Sequence, residues 1–390
     1  MTDSVTKSDG KHAPARVAIV TSIHPDFDAR IWKHALLLAS SGVQVDLICP
    51  WDVPDLSVQN GITFHPFKKV TSRGLRLFLI PLRVIPRLLK IIRNVDIVHF
   101  HDIDLLPMMA LFSLGKTVVY DVHENYAEEM LVRDWIPRYL RKPLAFSVKW
   151  GQFILSSVIR NIVLVAPSQE HAFSAKHFRK IYLYNYASLA LLDGVTDNYL
   201  QRDDIVVFIG SQHLNNGSLL LLDIVEETIK RVPSVRFRST DRFSNPKFKE
   251  HFLSEVSRRG LGGHVELIPN VKPHELMKVL NEASIGISPN LRVAQQINGI
   301  HTKVFEYMAA GIPMVISDLP HQVGVIEESG GGILAAPEHP VEFAIAIEKL
   351  TKDKPLALEM GRQGQKGFCE HHSYESQQQH LISYYRQILN

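Results

Sequence analysis

Two cysteines in 390 residues, Cys49 and Cys369, are too few and too far apart to form a disulfide framework or a zinc ligand set, and both read as small apolar residues. No stretch reaches the about 18 consecutive apolar residues of a membrane-spanning helix. The opening MTDSVTKSDGKHAPA lacks the apolar core of a secretory signal and reads as a disordered start on a cytoplasmic protein. Net charge is only +3, so the total points to no polyanionic partner. The 19 histidines are scattered without paired ligand spacing, and no metal is expected. Fixed-period repeats and low-complexity tracts are missing as well. The turn Ser22 to Phe27 lacks the G-x-G-x-x-G pattern, which argues against a dehydrogenase.

What remains is a globular composition, 45% hydrophobic and 21% charged, on a chain long enough for two domains of ~100–200 residues. Short β-branched runs alternate with helical patterns, the signature of parallel sheets built from βαβ units. Strands are predicted at 16–21, 43–49, 95–100, 117–120 and 162–166. The cycle restarts at 205–210 and recurs at 235–238, 264–268, 285–288 and 314–317. A helix over 30–40 has Asp28 placed to cap it and Gly42 to end it. The predicted organisation is a disordered 1–15, a doubly wound domain over 16–186, a linker at 187–203, a second doubly wound domain over 204–370 and a terminal helical segment over 371–390. In such sheets ligands bind beyond the carboxyl ends of the strands, where this sequence is rich in His, Asp and Gly.

The strongest local pattern is His301-Thr-Lys-Val-Phe-Glu-Tyr-Met-Ala-Ala-Gly-Ile-Pro313, a helix closed by Gly311. Lys303 and Glu306 share one face of its first turns. Free N–H groups at the helix start suit a diphosphate, Lys303 adds a cation, and the Glu306 carboxylate is able to accept from two ribose hydroxyls. From spacing alone, an amphipathic helix with a solvated Lys–Glu pair fits equally well.

This segment resembles the nucleotide-sugar helix of retaining GT-B glycosyltransferases of the bacterial group 1, family 4 type, which build capsules, exopolysaccharides and O-antigens. Further similarity lies in Ser22 to Lys33, in Val98 to Pro107, in Tyr120 to Glu129, in Val165 to Ser168 and in Tyr184 to Tyr186, in family order over roughly residues 16–370. The resemblance implies two Rossmann-like domains facing each other across a cleft, with the terminal helix crossing back to the first. By the same resemblance, Glu306 binds the donor ribose, and Lys303 and Thr302 lie near phosphates or sugar. Gly210, Ser211 and Gly311 belong to the donor site, and His123 lies beside the donor sugar, unless it is simply a satisfied strand-end histidine. Asp28, Arg30, His101, Asp102 and Glu124 are assigned to the acceptor side; for Asp28 and Arg30, capping is an equal alternative. Hydrogen-bonded loop roles remain open for the His99–Asp104 set. Cofactor and metal are both expected to be absent; the donor is a UDP- or GDP-linked sugar.

Two departures stand out. The family's second glutamate is replaced by Asn298. The arginine and lysine that neutralise its diphosphate are replaced by Ser211 and Asn216, leaving His213, Arg242, Arg292 and Lys303 as substitutes. Loss of one such donor lowers rates by roughly 10²–10³ in comparable oxyanion sites. Two other readings follow: a non-catalytic or partner-dependent binding subunit, and a nucleotide-sugar 2-epimerase.

Finally, Arg73 to Arg93 carries six basic residues, no acidic one and large aliphatics between them. It reads as an interfacial helix on anionic lipid, with Arg76, Arg83, Arg87 and Lys90 as contacts, unless these are snorkelling cations on an ordinary amphipathic helix. A second basic-aromatic stretch runs from Arg133 to Arg160. Aliphatics where stacking aromatics would be needed argue against nucleic acid. The expected setting is the inner face of the cell membrane, with a lipid-linked or glycan acceptor.

Overall fold

The computed structural model describes residues 16–24, 29–50, 58–70, 72, 75–132, 136–271, 275–297, 299 and 301–389. They fall into two compact units. One comprises the chain up to Tyr184 together with Gln377 onward; the other is Asn185–Ser376.

The first unit is built on β1 (Arg16–Val20), β2 (Gln44–Ile48), β3 (Val58–Gln59), β4 (Ile62–Phe64), β5 (Ile97–Phe100), β6 (Thr117–Val122), β7 (Asn161–Leu164) and β8 (Arg179–Tyr182). Their order is β3-β4-β2-β1-β5-β6-β7-β8, parallel except for the β3–β4 pair. The central strands are apolar on both faces because helices cover both, so Val17, Ala18, Ile19 and Val20 are all fully buried. The first helix, Ala29–Ser40, inserts Ile31, Ala35 and Leu38 into that core. It ends where Gly42 takes φ +81°, a backbone conformation that costs glycine little.

The second unit holds β9 (Ile205–Phe208), β10 (Arg236–Thr240), β11 (Val265–Ile268), β12 (Ile285–Ser288), β13 (Met314–Ser317) and β14 (Gly332–Ala335). They form an all-parallel sheet in the order β11-β10-β9-β12-β13-β14. Each sheet places its first strand near the centre, β1 between β2 and β5 and β9 between β10 and β12, so the strand order reverses there. This is the doubly wound arrangement, and it creates a switch point at the carboxyl ends of those strands.

Four strands escape sequence reading. β3 and β4 are too short to show a period. β8 reads Arg-Lys-Ile-Tyr at a sheet edge, and β14 reads Gly-Ile-Leu-Ala, where Gly331 and Gly332 admit close neighbours that a side chain would meet within 3 Å. Residues 187–203, expected as a linker, pack into the second unit. The buried Arg202 donates to the carbonyls of Leu280 and Ala283, at 3.3 and 2.9 Å, and Tyr199 donates to that of Ser284 at 2.7 Å. Cys49 is buried as an apolar residue, but Cys369 is exposed.

The terminal helix Gln378–Leu389 belongs to the first unit, burying Leu381, Ile382, Tyr384, Tyr385 and Ile388. Tyr384 donates to the carbonyl of Arg179 at 2.9 Å, and Gln377 exchanges two hydrogen bonds with the backbone of Tyr184. Burial of each such apolar side chain contributes ~1.5–3 kcal/mol, so this short helix is held by packing more than by its own propensity.

Candidate functional site

In the second unit the carboxyl ends of β9 and β12 meet the helix Thr302–Ala309. Tyr307 fixes that helix: its hydroxyl lies 3.1 Å from the carbonyl of Val207 and 3.0 Å from that of Ile287, and it accepts from the amide of Ile209 at 3.2 Å. Gly286 makes the seat, since a Cβ there would lie 2.5 Å from the Tyr307 ring. At the other end Gly311 takes φ +65°, the Gln365 amide donates to the carbonyl of Ala309 at 2.9 Å, and Gly361 brings the helix Lys354–Gly367 against the Gly311 carbonyl. The helix start is thereby held rigidly beside the loop that follows β9.

Lys303, on the first turn, is buried, and its Nζ has no hydrogen-bond partner among the described residues. The ammonium stands 4.3 Å from the centroid of the Phe208 ring. Burial pulls its pKa down to about 7, with the Glu306 carboxylate opposing. An unpaired buried cation is costly unless something anionic joins it. Glu306, one turn on, is partly exposed, Thr302 is exposed, and the neighbouring His301 is held at about pKa 4 by burial and by Lys303. Gly210 turns with φ +102°, and a Cβ there would lie 3.7 Å from Lys303 Cε.

The positions expected to lack the diphosphate cations are occupied by a chain of amides. Asn216 donates to the carbonyl of Ser211 at 2.7 Å, Gln296 donates to Asn216 at 2.9 Å, Asn290 to Gln296 at 2.7 Å, and Ser288 to Asn290 at 2.5 Å. This ladder fixes the loop without adding charge. Of the proposed substitute cations, Arg292 donates to the carbonyl of Asp318 and His213 caps its own turn, accepting from the amide of Asn215. Lys303 is the buried one. Asn298 lies outside the described residues.

In the first unit the carboxyl ends of β1, β5 and β6 carry a polar cluster. At its centre is Asp121, fully buried on β6. Arg30 Nη2 donates to both of its oxygens at 2.8 and 2.9 Å, while Arg30 Nη1 donates to the carbonyl of Leu183 at 3.0 Å. Burial raises the cost of the Asp121 charge, yet Arg30, with the surrounding histidines, holds the carboxyl well below its usual range. His101 Nδ1 and His123 Nε2 share a 2.7 Å hydrogen bond, and His123 Nε2 lies 3.6 Å from Asp121. His123 is mostly buried, which lowers its pKa to about 4 against the pull of Asp121. Nearby, Asp102 accepts from the hydroxyl of Thr21 and the amide of Ser22, both at 2.6 Å, and lies 3.3 Å from His24. Asp104 accepts from the Ser22 hydroxyl at 2.5 Å, and burial, aided by Asp102, lifts it to about 6.

Several expectations change here. Arg30 is buried and its guanidinium donates to Asp121 and to the carbonyl of Leu183 within the unit. His101 and Asp102 are likewise buried and engaged within the unit, whereas Glu124 is exposed. Asp28 lies outside the described residues. Asp121 was missed altogether, because an aspartate between two strand residues reads as an interruption until its partners are seen.

On the same unit, the helix Arg76–Ile91 exposes Phe78, Leu82 and Leu89. Its arginines are less available than expected. Arg83 donates to the carbonyl of Lys68. Arg87 donates to that of Pro66 at 2.7 Å and lies over the Phe67 ring, and Arg76 donates to that of Val70 at 3.3 Å. Lys90 is exposed. The helix Arg138–Ile159 is the larger feature, with Tyr139, Phe146, Trp150 and Ile154 exposed along it and no acidic residue among its 22.

Residues 28–180 match the family model "Glycosyltransferase Family 4", and residues 203–353 match "Glycosyl transferases group 1". The chain belongs to the group 1, family 4 glycosyltransferases. Its two parallel-sheet units are the GT-B fold. Sucrose-phosphate synthase from Thermosynechococcus elongatus superimposes with a TM-score of 0.74 at 15% identity, covering 95% of this chain and 98% of that one. A glycosyltransferase from Rickettsia africae gives 0.70 at 13% identity, over 96% and 99%. Anabaena HepE in complex with UDP and glucose gives 0.68 at 14% identity, over 95% and 99%. At these identities the likeness shows the fold alone. No curated protein sequence matches the chain. In this glycosyltransferase the Lys303–Glu306 helix and the Asp121 cluster occupy the strand ends where a doubly wound unit places its ligands.

Proposed function

We propose that this glycosyltransferase takes its sugar from a nucleotide-diphospho-sugar bound by the second unit and passes it, with retention, to a lipid-linked or glycan acceptor bound by the first. The observation that carries the reading is the buried Lys303, without a hydrogen-bond partner among the described residues, at the start of the helix Thr302–Ala309. Its ammonium, the helix N-terminus and the Gly210 turn converge on a space that suits a diphosphate. Glu306 is placed for ribose hydroxyls. With Ser211 and Asn216 neutral, Lys303 carries more of the developing negative charge on the leaving diphosphate than one lysine would beside an arginine partner. Among the described residues no side chain stands out as the nucleophile of a covalent intermediate, so the leaving diphosphate itself takes the acceptor proton. His123, held by His101, is the first unit's group for the sugar. The helix Arg138–Ile159 supports a resting place on anionic lipid, each cation near the surface contributing ~1 kcal/mol. The donor is a UDP- or GDP-linked sugar; Anabaena HepE, of the same fold, is in complex with UDP and glucose in its own structure.

Thermal stability with UDP, GDP and their sugars tests the donor site. A ligand at 100 times its dissociation constant stabilises by about 2.7 kcal/mol, a clear upward shift. The shift is expected with one nucleotide family and lost in Glu306→Ala. A chain indifferent to the whole panel would refute the donor assignment.

A further inference from the structure

The fold brings together histidines that the sequence keeps apart. His34 sits on the helix Ala29–Ser40, His99 and His101 belong to β5 and its end, and Asp121 lies on β6. All four are fully buried, and one ligand atom from each lies within 4.8 Å of the others. We propose that His34, His99, His101 and Asp121 form a site for one divalent transition-metal ion, with zinc as the best-suited member of the class.

Three observations carry the assignment. The first is spacing. Asp121 Oδ2 lies 3.4 Å from His99 Nε2 and 3.4 Å from His101 Nδ1. Those distances are long for N–H···O hydrogen bonds, which cluster at about 2.7–3.2 Å. They match the edge between two ligands of a tetrahedral ion, which is about 3.3 Å when each bond is about 2.0–2.1 Å. His34 completes the set by a side-chain movement of roughly 1.5 Å, the excess of the 4.8 Å limit over that edge.

The second observation is unmet bonding capacity. His34 Nδ1 is buried and has no hydrogen-bond partner among the described residues. A buried imidazole nitrogen without a partner costs free energy that a metal bond or a relocated proton recovers. The third is the surrounding shell. The Tyr385 hydroxyl lies 2.6 Å from His99 Nδ1 and 3.3 Å from His34 Nε2, giving both rings the outer partner that orients a metal-bound histidine.

Two nearby groups bear on the charge balance. Arg30 holds both Asp121 oxygens, so the carboxylate is shared: each oxygen has a second lone pair, and Oδ2 turns its own toward His99 and His101. His123 shares its hydrogen bond with His101 Nδ1 and either yields that nitrogen to the ion or follows it as an outer partner. Neutral histidines with one carboxylate suit zinc, cobalt or nickel better than magnesium or calcium, which take oxygen. The ion would tie the first helix, β5 and β6 to the terminal helix through Tyr385. Its role is to hold the first unit together.

The test is metal content of the full chain after desalting, with thermal stability before and after chelation and the visible spectrum of the Co²⁺-loaded protein. Expected are one zinc per chain, a lower melting temperature on chelation restored by Zn²⁺, and the intense absorption of tetrahedral Co²⁺. His34→Gln and His101→Gln should each lose the Co²⁺ band, while His177→Gln, at an exposed histidine, keeps it. Should a variant fail to fold, the stoichiometry and spectrum of the unaltered chain still decide. Less than about a tenth of a zinc per chain with no response to added Zn²⁺ would overturn the proposal. So would a Co²⁺ spectrum of octahedral type, or one unchanged in both variants.

Discussion

At the scale of single residues, Lys303 and Asp121 bear opposite electrostatic burdens. Lys303 is a buried cation with no hydrogen-bond partner among the described residues; Asp121 is a buried anion with several. Because the Lys303 pKa is lowered to about 7 in the fold from 10.5, the unfolded chain binds more protons between those values. Stability therefore rises with pH across about 7 to 10.5, and the cost of burying the ammonium is fully present below about 7. Lys303→Met is expected to be more stable than the parent at neutral pH and to lose this part of the slope, as measured by urea unfolding at about pH 6.5 and 9.5. Asp121→Asn has the reverse consequence. It leaves the Arg30 guanidinium buried without its counter-charge, a loss typically of about 3–5 kcal/mol. Chemical denaturation reads that loss, and a drop below about 1 kcal/mol would contradict the assignment of Asp121 as the hub.

Among elements, the sequence shows most where periodicity is long and least where geometry acts through glycine and edges. The buried strands, such as β1, β9 and β13, announce themselves by β-branched runs, as does the helix Thr302–Ala309 by its pattern and its Gly311 stop. The short β3 and β4 and the edge strands β8 and β14 do not, since their pairing comes from neighbours. The helix Thr302–Ala309 was legible as an element, with Lys303 and Glu306 on one face, but the burial of Lys303 was not; nor was the ladder of side-chain hydrogen bonds from Asn216 to Ser288. The full cluster was illegible for a plain reason: His99 and His101 are neighbours in the chain, but His34 and Asp121 are far from them and join them only through the fold. Gly217 makes a testable point. It holds φ +79° and a Cβ would lie 1.7 Å from the carbonyl oxygen of Pro289, so Gly217→Ala should displace the loop and lower the melting temperature by several degrees. An unchanged melting temperature would show that this loop is not fixed as described. For the helix Arg138–Ile159, replacing Phe146 and Trp150 by serine should weaken sedimentation with phosphatidylglycerol vesicles about tenfold or more while leaving unfolding unchanged; equal binding by parent and variant would remove this helix from any membrane role.

For the whole molecule, the account rests on division of labour. One unit offers a buried lysine, a helix N-terminus and a carboxylate suited to ribose. The other offers a buried charge network and a basic, aromatic surface helix. The family membership and the GT-B fold fix the reaction class, and the proposed details of donor and acceptor follow from which side chains remain to be matched. None of the described helices is long and apolar enough to cross a membrane. The most direct measurement is calorimetric titration of the full chain with UDP and GDP at about pH 7.5, in buffers of different ionisation enthalpy. The account predicts one site per chain, uptake of up to one proton as Lys303 gains its anionic partner, and binding about tenfold weaker or more in Lys303→Met. Binding with no proton uptake and no loss in Lys303→Met, or no binding of either nucleotide, would contradict it.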